Sequence, residues 1–128
     1  MSDRRIKKFD ESLKKMFDEI DDYLEDSYGN LYPLHPARPD RGKTSNKEHD
    51  GLFNIGASFS AGFGSRLGRG YIVDVHMVTL HQVPDDIRRQ IEDDVVRQIS
   101  RKLPAFFPDR DLDVEKDGTV FKIYEKGK

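Results

Sequence analysis

Ser58, Ser60, Asp74 and His76 supply the hydroxyl, carboxylate and imidazole groups that nucleophilic hydrolysis uses. A triad needs these groups to converge on one oxygen. Here they lie on two stretches of strand-like alternation, and strand side chains two apart project in parallel. No oxyanion donor is identifiable from the sequence. The reading therefore assigns no catalytic residue, and it places the four on a sheet surface that meets a ligand or a partner. A metal-dependent enzyme around Asp74 and His76 is an alternative.

Residues 64–70, Gly-Ser-Arg-Leu-Gly-Arg-Gly, invite a phosphate-loop reading through Arg66 and Arg69. The segment lacks the Gly-Lys-Ser/Thr ending of a Walker motif and leads into a strand, so no helix dipole points at an anion. A small-ligand or phosphate binder using these arginines and turn amides is the second alternative. The four histidines, His35, His49, His76 and His81, are scattered, whereas zinc takes three or four convergent ligands. No metal site and no cofactor is expected.

Composition narrows the classes further. The 128 residues carry 22 basic and 24 acidic side chains, a net charge of −2, and no cysteine. A globally basic nucleic-acid binder is excluded, as are disulfides and thiol catalysis. No run approaches the roughly 18 apolar residues of a membrane span, and the charged first residues lead into no signal-like apolar stretch. The expectation is a cytoplasmic protein with neither nucleic-acid nor membrane partners.

Three zones must position these groups. Residues 1–27 form an amphipathic helix, with Ile6, Phe9, Leu13, Met16, Ile20 and Tyr23 on one stripe of 3.5-residue period. Its start is basic (Arg4, Arg5, Lys7, Lys8) and its end acidic (Asp18, Glu19, Asp21, Asp22, Glu25, Asp26), the reverse of what a helix dipole favours. An antiparallel twin would set basic starts beside acidic ends. Ile6, Phe9, Leu13, Met16 and Ile20 are therefore the candidate interface of a homodimer or of a complex with a protein partner. The competing reading packs the stripe on the chain's own sheet.

Residues 28–50, with three prolines, admit neither helix nor central strand and read as a tether or a surface-wrapping segment. Residues 51–126 read as ββαββ. Phe53, Ile55, Ala57, Phe59, Ala61 and Phe63 share one strand face, and a turn centred on Leu67 would pair Ser60 with Asp74 and Ser58 with His76. Pro84, Asp85 and Asp86 open a helix. Asp117-Gly118 signals a hairpin that sets Val114 opposite Phe121 and Asp113 opposite Lys122. The expected fold is α+β: an N-terminal helix, a long tether, then a four-stranded, mostly antiparallel sheet covered by one helix. The function expected of it is a small non-catalytic binding or assembly module that self-associates.

Overall fold

The computed structural model describes residues 3–118 and 120–126, without the side chains of residues 3–6 and 48. Helix α1 spans Asp3–Tyr28, and a single 3-10 turn follows at Lys47–His49. Strands β1 (Phe53–Ser60) and β2 (Gly70–Met77) precede helix α2 (Asp85–Phe106), and strands β3 (Leu112–Asp117) and β4 (Val120–Glu125) close the chain. The sheet order is β1-β2-β4-β3, antiparallel at every step. The α+β layout agrees with the sequence reading.

One face of the sheet carries both helices. Leu13, Met16, Phe17, Ile20 and Leu24 of α1 meet Ile91, Val95, Ile99 and Leu103 of α2 over Phe53, Ile55, Val73, Val114 and Ile123. The predicted interface seam is corrected here. Leu13, Met16 and Ile20 are buried in this intramolecular core, and Phe9 is half-buried against it, ringed by Tyr71, Phe107 and the Arg110 guanidinium. Burial in the chain's own core removes these side chains from any surface a twin could meet. The Ile6 side chain lies outside the described residues.

The reversed charges of α1 also find partners within the chain. Arg41 bonds Asp26 at 2.7 Å and Asp22 at 3.3 Å, Lys47 bonds Asp22 at 2.9 Å, and Lys102 of α2 bonds Glu19 at 3.0 Å. Residues 28–50 therefore wrap the acidic end of α1. Arg38 fastens the segment further, donating to the carbonyls of Asp50, Gly51 and Phe53. His35 N–H donates to the Val78 carbonyl.

Both hairpin registers differ from expectation by an even number of residues, so the faces survive and the partners change. In the second hairpin Val114 lies opposite Ile123 and Lys122 opposite Glu115. The turn tightens one residue later than predicted, beyond Asp117, with Gly118 at a φ of 66°. In the first hairpin Asp74 faces Gly56, His76 faces Asn54, Ser58 faces Ile72 and Ser60 faces Gly70. The strands stop early because residues 61–69 fold into a loop of their own. Gly62, at a φ of 84°, approaches the backbone of Gly68 so closely that a Cβ would sit 2.1 Å from the Gly68 carbonyl carbon.

Candidate functional site

The loop 61–69 is a docked element. It lies over the helix-free face of the sheet, where the Lys122 side chain is 2% exposed. The Lys122 ammonium donates to Ser65 Oγ at 2.9 Å, to the Gly68 carbonyl at 2.8 Å and to Asp117 Oδ2 at 2.9 Å. Three donors meet three acceptors, which is what a buried ammonium requires. Ser65 also donates to Asp117, and the Lys122 and Ser65 bonds hold the Asp117 carboxyl below its ordinary range. Arg66 leans on Glu115 at 3.5 Å.

These contacts decide what the predicted ligand-binding residues can do together. Ser58 and Ser60 do not share cross-strand positions with Asp74 and His76, so the hydroxyls and the imidazole do not form one cluster. Asp74, His76 and Ser58 are exposed, as are Arg66 and Arg69. A small recess between β2 and α2 is lined by Val75, Met77, Arg88, Ile91 and Glu92, none of them a predicted site residue. Among the described residues no group of three or more His, Asp or Glu could hold a metal ion. No helix of the described residues is long and apolar enough to cross a membrane.

Two buried polar clusters were not legible as such. At the end of α1, Glu25 accepts from the Leu52 and Phe53 N–H groups at 3.2 and 2.9 Å, which fixes where β1 begins. Beside it Asp21 is 4% exposed, and its Oδ2 has no hydrogen-bond partner among the described residues. Burial pushes the Asp21 carboxyl up to about 7, with Glu25, Asp22 and Asp50 adding to the rise and Lys47 opposing it. Between the helices, Asp94 accepts from Tyr23 at 2.8 Å and Tyr28 at 2.6 Å and pairs with Arg97 at 3.2 Å. Burial raises the Asp94 carboxyl, but the two phenols and Arg97 outweigh it and hold the group below its ordinary range. The same bond pushes Tyr28 up to about 12.

The surface with the clearest unused bonding capacity is the outer edge of β1. Val78 N–H donates to the Leu52 carbonyl. Alternation along an antiparallel ladder then turns the even-numbered residues of β1 toward β2 and the odd-numbered ones outward. Phe53 is capped, its N–H by Glu25 and its carbonyl by Arg38. The next outward residues, Ile55, Ala57 and Phe59, have no such cap among the described residues. The strand reads Phe-Asn-Ile-Gly-Ala-Ser-Phe-Ser, without charge or proline. The other edge, β3, reads Leu-Asp-Val-Glu-Lys-Asp. Charged edges resist pairing with foreign strands, and bare apolar ones invite it. One large apolar side chain stands near the bare end: Phe59, packed edge-on against Tyr71, is 62% exposed. The missing charge was visible in the sequence, but the place of β1 at an edge was not.

A family model described as "Uncharacterised protein" matches residues 4–125. An "Uncharacterized protein" of Borreliella burgdorferi (strain B31) is 39% identical over 121 residues, spanning 92% of this chain and 94% of that protein. No solved structure matches the chain.

Proposed function

For this chain, which belongs to that family of uncharacterised proteins, we propose a non-catalytic binding and assembly role, carried by the bare edge of β1. The observation behind the reading is the contrast between the two sheet edges. β3 carries four charged residues, while β1 leaves the outward groups of Ile55, Ala57 and Phe59 uncapped, with the Phe59 side chain itself exposed. An extended segment added there gains main-chain hydrogen bonds along the edge, with apolar contact at Phe59. The protein-partner surface is thus β1 rather than the α1 seam. The reading also agrees with how the polar groups are used: Lys122, Ser65 and Asp117 satisfy one another, and Arg66 is directed at Glu115.

A photo-crosslinking amino acid at the exposed Ser58 tests the role in cells that make the protein. Adducts of higher mass are expected from this position and not from the exposed Arg89 on α2. Equal yields from the two positions, or none from either, would refute the role.

A further inference from the structure

We infer that residues 39–51 form a pH-sensitive flap, held closed by ion pairs with α1 and loosened when the Asp21 carboxyl beneath it ionises. The inference stands apart from the β1 edge.

Between Pro39 and Gly51 the chain has no Ala, Val, Leu, Ile, Met, Phe or Tyr, so burial of apolar side chains does not hold this stretch down. Its ends are tied together. The Gly51 N–H donates to the Pro39 carbonyl at 3.0 Å, and Arg38 donates to the Asp50 and Gly51 carbonyls at 3.0 Å each. Inside the loop, Asp50 Oδ2 accepts from the Thr44 N–H at 3.0 Å and from its hydroxyl at 2.9 Å. A compact loop with closed ends is a unit that can open while the elements on either side stay folded. Charge fastens it to α1, through Arg41 on Asp22 and Asp26 and Lys47 on Asp22. The Arg41 and Lys47 side chains are 45% and 42% exposed. Ion pairs so open to water are weak and are screened by salt.

The turn of α1 beneath the loop is poorly matched to it. Asp21 is buried, and its Oδ2 has no hydrogen-bond partner among the described residues. The charged groups facing it are Glu25 and Asp22 from α1, and Lys47 and Asp50 from the loop. Glu25 is committed to the Leu52 and Phe53 N–H groups, and Gly51 backs onto its carboxylate with no room for a Cβ. The returning end of the loop is therefore seated on this acidic turn.

With Asp21 protonated, the loop closes over a neutral group. With Asp21 ionised, the closed loop holds Asp50 toward a buried carboxylate that lacks a donor. Opening admits water to Asp21 and moves Asp50 away. The closed form keeps the Asp21 proton up to about 7, while a hydrated Asp21 returns toward its ordinary 3.8. Closing thus takes up a proton between those values. The closed form loses ground as pH rises through that window, and the ratio is constant above it.

Amide hydrogen exchange of the purified full chain, corrected for intrinsic rates, reads the opening at Thr44 and Gly51. Their protection should fall by about tenfold to a hundredfold between pH 5 and pH 8. It should stay below that of Ile99 in the core and be insensitive to urea too dilute to unfold the protein, which marks local release. In Asp21→Asn the pH dependence should vanish. Lys47→Gln, at a largely exposed side chain, keeps the fold whatever Asp21→Asn does; it should lower loop protection at every pH and leave Ile99 unchanged. Protection that is flat across pH in the wild type would overturn the inference. So would a pH dependence that survives Asp21→Asn, as it would if the exposed His49 of the loop carried it. Loop exchange that follows global unfolding, or that ignores Lys47→Gln, would overturn it as well.

Discussion

Replacing Asp21 with asparagine should stabilise the protein at neutral and alkaline pH and leave it unchanged near pH 4. Asp21 is 4% exposed, and a carboxylate there can only accept hydrogen bonds. Glu25 and Asp22 on its own helix and Asp50 on the wrapping segment face it as further acceptors, against Lys47 alone of opposite charge. The unfolded chain releases this proton near its ordinary 3.8, and the folded chain only near 7. Between those values folding takes up a proton, so the Asp21 contribution lowers stability as pH rises, and the deficit is constant above about 7. A shift of roughly three units at about 1.4 kcal/mol each sets an upper bound near 4 kcal/mol. Relaxation of the wrapping segment and entry of water reduce it, and about 2–4 kcal/mol is expected. Near Tm that corresponds to a rise of roughly 10 °C for a chain of this size. The amide also gains what the carboxylate lacks, an N–H to offer Glu25 or Asp50. The assay is urea and thermal unfolding of wild type and Asp21→Asn from pH 4 to pH 8. The difference between the two curves cancels the acid limb that Asp22, Asp50 and Asp94 impose on both. A gap that stays constant over this range, or one that closes toward pH 8, would refute the reasoning.

Other perturbations follow from the same contacts. Lys122→Met removes the donor shared by Ser65, Gly68 and Asp117 and should lower stability, and amide exchange should show the loop 61–69 released. Loss of stability without faster exchange in the loop would contradict the docking described. Glu25→Ala removes the acceptor for two buried N–H groups and should cost about 1.5–3 kcal/mol in chemical denaturation, with early exchange at the start of β1; a smaller loss would mean the two amides have other partners. The depressed Asp94 carboxyl contributes stability that is present at neutral pH and lost as pH falls through its folded value. Asp94→Ala should therefore flatten the acid limb of the stability profile and, by ultraviolet titration, bring Tyr28 down from about 12 toward 10; an unmoved phenol would rule out the contact. Leu13→Ala should cost about 2–5 kcal/mol of stability and leave any self-association of the folded protein unchanged, the opposite of what an α1 seam would give.

The sequence by itself determined the elements and their faces. The 3.5-residue stripe of α1, the alternation of Phe53, Ile55 and Ala57, and the apolar run Ile91, Val95, Ile99 and Leu103 are local periodicities. A periodicity states which side of an element is apolar, whatever it later packs against. For the same reason both hairpin errors are even-numbered: the hydrophobic pattern forbids a one-residue slip and tolerates two. The register itself came from contacts distant in sequence, the Glu25 carboxylate and Arg38 at the start of β1 and Lys122 under the loop 61–69. The destination of the α1 stripe was likewise beyond the sequence, because a greasy helix face fits its own sheet and a twin equally well; proximity within one chain settled it. Reversed end charges looked like the mark of a partner until the fold laid Arg41 and Lys47 alongside them. The neutrality of β1 could be read in one line of residues, but whether a neutral strand is a protected centre or an open edge depends on strand order. That order is set by the crossover through α2 and by the pairing of β4 with β2, so only the tertiary structure turned a bland strand into the surface most open to a partner.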